Sequence, residues 1–286
     1  MNYKRKDFLK LTGGLALAGL TVKDLFSFIE ESKKIKTFGL QLYTLRDDML
    51  KDPKGVLKLV ADAGYKFVES YEGYKGMFWG MSNVEFKEYV EGLGMKMLSS
   101  HCDPAKDFQK KVDDAATIGM KYLIYNWPPD QASLDEFKKA ADDFNRYGEI
   151  CKKSGIRFAH HNYYAQFELK DGQYPMDVLM QKTDPSLVDY QMDICWAVYA
   201  KADPIYWLKK YPTRFKLCHI KDRIKGSSER DASCTLGDGE IDFPKILKTA
   251  SSIGMQYYIV EQERYDGTTP LKSIVADADY MKRLRI

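Results

Sequence analysis

Five times along this chain an amphipathic stretch ends in glycine and a β-rich run follows at once: Ala63-Gly64-Tyr65, Leu93-Gly94-Met95, Ile118-Gly119-Met120, Ser154-Gly155-Ile156 and Ile253-Gly254-Met255. Glycine adopts the left-handed conformation that terminates helices, so each junction reads as a helix end handing over to a strand. The β-rich runs are Phe38–Tyr43, Lys66–Glu69, Met95–Ser100, Tyr122–Tyr125, Arg157–His161, Val188–Asp193, Phe215–His219 and Tyr257–Glu261. Between them apolar residues recur at helical spacing, as at Val56, Leu57, Val60 and Ala61. Eight strands alternating with helices over about 250 residues predict an α/β chain folded as a single-domain (β/α)8 TIM barrel. A doubly wound sheet would place a glycine-rich phosphate loop after its first strand; here the first strand runs into Gln41-Leu42-Tyr43-Thr44-Leu45-Arg46.

The barrel is assigned to residues 31–286 and an export signal with its linker to residues 1–30. Lys4-Arg5-Lys6-Asp7-Phe8-Leu9-Lys10 is a basic segment, and the apolar, Gly/Ala-rich stretch Leu11–Leu20 follows it. That order marks an export signal, and the stretch is too short to span a bilayer. The basic segment resembles a twin-arginine motif with Lys6 in place of the second arginine, so the expected destination is the periplasm. Formal net charge is +3 over 286 residues, with +4 of it in residues 1–36, so the rest is near neutral. Such a body has no electrostatic footprint for nucleic acid or for an anionic membrane. The expected partner is a small sugar, with homo-oligomerisation open. The five cysteines are unpaired in spacing and indicate neither a disulfide framework nor a zinc ribbon.

In this fold chemistry sits at the C-terminal ends of the strands. All four histidines, His101, His160, His161 and His219, fall at or just past a predicted strand end, and Glu69, Asp193 and Glu261 end three more strands. Burying ionisable groups unpaired is costly, so their convergence points to mutual neutralisation through a metal or a polar substrate. Asp193, His219 and Glu261 end strands six to eight and are expected to reach one divalent ion, Mn, Zn, Mg or Co. A fourth ligand is expected from strand five. Successive strand residues face opposite sides, so only one of His160 and His161 can point inward, and His161, nearer the loop, is chosen. His101 is a candidate acid–base group, Glu69 a group that orients or contacts a ligand, and Lys221 a candidate to polarise a carbonyl or steady an oxyanion. Tyr43, Trp127, Tyr163 and Trp196 could supply apolar walls for a sugar ring.

These strings, in this order, resemble the sugar phosphate isomerase/epimerase family of xylose isomerase-like barrels. The likeness runs over nearly all of residues 37–286. It rests on Gly39–Arg46, Gly64–Glu69, Met192-Asp193-Ile194-Cys195-Trp196 with Ala202-Asp203-Pro204, His219-Ile220-Lys221-Asp222, Gly237–Phe243 and Ile259-Val260-Glu261-Gln262. The resemblance implies a divalent metal held by Asp193, His219 and Glu261. It also implies proton removal beside a carbonyl, with the metal steadying the enediolate.

Family epimerases carry a Glu at the end of strand five as ligand and base. Here Ala159-His160-His161-Asn162-Tyr163 stands instead, resembling a subgroup with a His-Asn-His string followed by Glu-Phe, with Tyr163 for the second His and Gln166-Phe167 for Glu-Phe. A two-glutamate pair working both faces of one carbon is not evident. Single-faced proton removal by Glu261, His161 or His101 favours isomerisation or β-elimination over epimerisation. The expectation is therefore a metal-dependent sugar isomerase/epimerase-like enzyme. The alternatives are a lyase that eliminates the aglycone of a 3-keto-glycoside and a non-catalytic carbohydrate-binding barrel. Arg223 and Lys225 are the only cations placed for a phosphate clamp.

Overall fold

The computed structural model describes residues 34–126 and 131–286. The predicted export segment and Trp127 lie outside the described residues. Eight parallel strands close a barrel in the order β1-β10-β7-β6-β5-β4-β3-β2. They are β1 Gly39–Gln41, β2 Phe67–Tyr71, β3 Lys96–His101, β4 Tyr122–Tyr125, β5 Arg157–His161, β6 Val188–Asp193, β7 Phe215–Ile220 and β10 Tyr257–Val260. Two short strands, β8 Asp222–Arg223 and β9 Ser233–Cys234, pair antiparallel above the rim. Closure pairs Gly39 with both Phe67 and Ile259. A Cβ at Gly39 would stand 2.2 Å from the Phe67 ring and 2.8 Å from its carbonyl oxygen, so the seam tolerates only glycine.

The five junction glycines, Gly64, Gly94, Gly119, Gly155 and Gly254, all have positive φ, between 72° and 105°. Ten α-helices stand among the described residues, α1 Arg46–Lys51, α2 Pro53–Ala63, α3 Asn83–Gly92, α4 Phe108–Thr117, α5 Leu134–Lys153, α6 Pro175–Lys182, α7 Ile194–Tyr199, α8 Pro204–Lys210, α9 Phe243–Ser252 and α10 Pro270–Arg283. Ser82 and Ser133 close capping boxes with Glu85 and Glu136 and so fix where α3 and α5 begin. None of the helices among the described residues is long and apolar enough to cross a membrane.

The described residues form two apolar clusters. The larger fills the layer between strands and helices. The smaller plugs the barrel and consists of Phe67, Leu98, Tyr122, Ile124, Ala159, Leu217 and Ile259, with Tyr257 against it. Side chains two apart on a strand share a face. Two positions beyond Phe67, Ala159, Leu217 and Ile259 therefore stand Glu69, His161, His219 and Glu261. The barrel interior turns from apolar to ionisable within one layer. The four cysteines Cys102, Cys151, Cys195 and Cys218 are buried, Cys234 is partly so, and all five are free thiols.

Candidate active site

His160 and His161 show how strand parity sorts the residues. His160 faces the helices, stacked on Phe144 with ring centroids 4.9 Å apart. Its Nδ1 lies 3.1 Å from the Tyr125 carbonyl oxygen and its Nε2 lies 3.3 Å from Gln166. Burial pulls its pKa down to about 3, so the ring is a neutral structural group. His161 faces the barrel axis and lines the mouth. Burial, with the neighbouring His219 adding to it, takes its pKa to about 4 against the pull of Asp193.

Glu69 is fully buried under the floor and is not among the side chains that line the pocket. This corrects the expectation that it could contact a ligand. Its oxygens accept hydrogen bonds from Gln41 Nε2 at 2.8 Å, Ser99 Oγ at 2.6 Å and Gln191 Nε2 at 2.9 and 3.1 Å. They also meet His101 Nε2 at 3.1 Å and His219 Nε2 at 2.6 Å. Burial raises its pKa, but His101 and His219 outweigh that and hold the carboxyl well below its ordinary range. Glu69 thereby fixes His219 with Nε2 toward the barrel interior and Nδ1 toward the remaining ligand candidates.

His161 Nε2, Asp193 and His219 form one set whose ligand atoms lie within 4.8 Å of one another. His219 Nδ1 stands 3.2 Å from His161 Nε2, 3.7 Å from Asp193 Oδ2 and 3.0 Å from Glu261 Oε2, and His161 Nε2 stands 3.6 Å from Asp193 Oδ2. Ligand atoms about 2.0–2.2 Å from a tetrahedral ion are themselves roughly 3.3 Å apart, so these edges match such a shell. Asp193 Oδ2 is buried without a hydrogen-bond partner, while Asp193 Oδ1 accepts the amide of Trp196 and caps α7. The residues present therefore fit a divalent ion. A second set, Glu69, His101 and His219, is already consumed by its own hydrogen bonds.

Glu261 joins the first set through His219 and through Lys221. The Lys221 ammonium bridges Asp193 Oδ2 at 2.8 Å, Glu261 Oε2 at 3.0 Å and Glu263 Oε1 at 3.0 Å, and lies 5.0 Å over the Trp196 ring. The Asp193 contact is an ion pair without hydrogen-bond geometry. Burial works against the charge on Lys221, but the three carboxylates hold its pKa well above the ordinary range. Asp193 and Glu261 are raised by burial and lowered more strongly by Lys221 and the histidines, so both stay ionised. His219 is opposed by burial but carried well above the imidazole range by Glu261 and Glu69. Four carboxylates thus face one ammonium and one imidazolium. A metal-ligating imidazole must be neutral, so with His219 as a ligand the surplus is three negative charges, of which one divalent ion would balance two.

Above this floor opens a pocket of about 560 Å³, lined by Tyr43, Tyr71, His101, His161, Tyr163 and Trp196 among others. Among the described residues its charged walls are Glu72, Asp103, Glu261 and Glu263 against a single cation, Lys106. Arg223, considered above for phosphate, is buried outside the pocket and donates to the Ser227 and Glu229 carbonyl oxygens. Lys225 does not line the pocket either. Sequence reasoning missed Gln191 and Glu263. Each sits two residues from a chosen ligand, Asp193 and Glu261, and strand parity was the signal that could have found them.

Barrel, rim chemistry and a carboxylate-backed histidine together define a (β/α)8 enzyme class with a polar mouth. The xylose isomerase-like TIM barrel family model matches residues 57–284, and the chain belongs to that family. An inosose dehydratase of Clostridium perfringens is 27% identical over 215 residues, which cover 70% of this chain and 68% of that protein. The crystal structure of a sugar phosphate isomerase/epimerase from Parabacteroides distasonis superposes with TM-score 0.75 at 30% identity, covering 88% of this chain and 95% of that one. An IolI protein with a bound zinc atom shares the fold with TM-score 0.68 at 17% identity, over 85% and 95% of the two chains. The first two of these are named as enzymes, an inosose dehydratase and a sugar phosphate isomerase/epimerase.

Proposed function

We propose that the protein removes a proton beside the carbonyl of an unphosphorylated keto-sugar or keto-cyclitol and eliminates the β-oxygen, as water or as an aglycone. The observation that carries this reading is the state of His101. Its Nε2 faces two acceptors, Gln191 Oε1 at 2.9 Å and Glu69 Oε1 at 3.1 Å, so in the neutral ring Nε2 bears the hydrogen. Nδ1 is left with the lone pair, has no protein partner among the described residues, and belongs to a side chain that lines the pocket. A carboxylate-backed imidazole with a free nitrogen is a general base.

His161, Asp193, His219 and Glu261 would hold a divalent ion, which when bound supplies a Lewis acid for the substrate oxygens. His101 Nδ1 takes the proton and the C–H electrons move onto the carbonyl oxygen. Their return breaks the β C–O bond, and the departing oxygen regains the proton from His101. Strand five offers His161 and no carboxylate, so the two-glutamate pair that would work both faces of one carbon is not evident, and this favours elimination over epimerisation. The dehydratase relative supports loss of water. The acidic walls and the lone Lys106 support a neutral polyol over a phosphate ester. Isomerisation is the second reading, favoured by the Parabacteroides relative, and it would deliver a proton to the neighbouring carbon from His101 after that proton has exchanged with solvent.

The test is NMR of inosose and of a 3-keto-glycoside incubated with the metal-loaded protein in D2O. Elimination gives an unsaturated ketone, with release of aglycone from the glycoside. Isomerisation gives a rearranged ketose with deuterium at carbon. Absence of both exchange and product for either substrate would overturn the enzymatic reading and leave a carbohydrate-binding barrel.

A further inference from the structure

The cation that bridges Asp193 and Glu261 in this structure belongs to the chain itself. We propose that Lys221 is a resident competitor at the metal site, and that Glu263 is the berth to which its ammonium withdraws when a divalent ion enters. The inference rests on the metal reading above.

Lys221 Nζ touches the same two oxygens that an ion held by His161, Asp193, His219 and Glu261 would need, Asp193 Oδ2 at 2.8 Å and Glu261 Oε2 at 3.0 Å. The three-membered ligand set within 4.8 Å is His161, Asp193 and His219, and Glu261 stands outside it. Drawing Glu261 in as a fourth ligand means closing around the point that Nζ now bridges. Two cations on the same pair of oxygens repel, and in a buried site that repulsion is poorly screened. Nζ has somewhere to go. Its third carboxylate, Glu263 Oε1 at 3.0 Å, is not a ligand candidate and lines the pocket, with its side chain about a quarter exposed.

The berth is itself anchored. The Glu263 amide donates to Ser233 Oγ at 2.9 Å, and its carbonyl oxygen accepts from Arg46 at 3.2 Å. The ammonium stays charged throughout and merely exchanges partners. Loading an ion therefore turns Lys221 from a floor ion pair toward the space where substrate oxygens lie. The device sets both the affinity for the ion and the position of a cation facing substrate.

Isothermal titration of Mn2+, Co2+ and Zn2+ into chelator-stripped full-length protein tests this, with Tm read in parallel. Lys221→Met, which keeps the stem and removes the charge, is expected to bind the ion roughly tenfold more tightly and to show a larger metal-induced rise in Tm. Glu263→Gln is expected to bind several-fold more weakly, because Nζ then has only the ligand carboxylates to hold it. If the wild type binds an ion and Lys221→Met binds it no more tightly, the competition is overturned while the metal site stands. If Lys221→Met fails to fold, Glu263→Gln decides alone: unchanged or tighter binding overturns the proposal. If neither the wild type nor Lys221→Met binds any of the three ions, the metal reading falls and the competition with it.

Discussion

The bottom and the mouth of this barrel are made by the same strand faces and do opposite things. At the bottom Phe67, Ala159, Leu217 and Ile259 fill the interior with apolar volume. Two residues further on, the same faces carry Glu69, His161, His219 and Glu261, all buried. Apolar packing there would stabilise the fold at no electrostatic cost. Buried charges are retained only with partners, and removing one partner leaves the rest uncompensated. The lower layer is thus answerable to stability and the upper one to chemistry, although about one strand repeat separates them.

Cutting one residue from each layer of a single strand gives the largest expected contrast. His219→Ala is expected to abolish metal binding and to lower turnover at least about a thousandfold while the barrel still folds. Leu217→Ala should lose about 2–5 kcal/mol of stability yet keep the turnover of the folded fraction. Chemical denaturation beside initial rates reads both, and comparable rate losses in the two variants would erase the distinction between layers. Next in size is His101→Ala, expected to cost about 10²–10⁴ in turnover with ion affinity unchanged. An equal loss of ion binding would make His101 a support for the metal site and not the base. Glu69→Gln should then weaken ion binding about 10–100-fold, because His219 loses the carboxylate that orients its ring. Unaltered affinity in titration calorimetry would show that Glu69 only fills the floor.

The glycines at helix ends and the eight β-rich runs were enough to read the barrel, because both are local signals: a left-handed φ and a run of strand formers. Five of the eight strands differ from the sequence reading by one or two residues at one or both ends, as at β1, where Leu42–Leu45 turn into a 3-10 helix. There the chain leaves the sheet once Gln41 caps the turn through its own side chain. The convergence of Asp193, His219 and His161 was legible from strand ends and parity. The true place of Glu69 was not, because the sequence cannot show that Gln41, Ser99 and Gln191 approach it from three other strands. Nor could it show Lys221 turned down onto two ligand carboxylates, since the same strand parity would equally let the ammonium stand in the pocket. Long-range pairing of charges is a property of the closed barrel, which no single segment carries.

Buried carboxylates away from the mouth provide the smallest and sharpest test of the comparison. Glu69 and Asp193 sit among cations and are held low; Asp277 on α10 is equally buried, and among the described residues no cation lowers its pKa. Its Oδ1 accepts the Leu236 amide at 2.8 Å, and its Oδ2 has no hydrogen-bond partner. Burial, with Asp222 and Asp238 adding to it, raises its pKa to about 7. A raised carboxyl pKa means that the folded state binds the proton more tightly than the unfolded one. Its effect on stability is therefore lost as pH rises, across the window from the ordinary aspartate value near 4 up to about 7. Each pH unit in that window costs at most about 1.4 kcal/mol, and relaxation of the helix would reduce it. Asp277→Asn keeps the acceptor for Leu236 and cannot ionise. The stability difference between variant and wild type, measured by urea denaturation at pH 5 and pH 7.5, should therefore shift in favour of the variant at the higher pH. A difference that stays constant between the two pH values would mean that Asp277 is ionised in the fold throughout. In that case a buried carboxylate here does not need the cations that the mouth supplies.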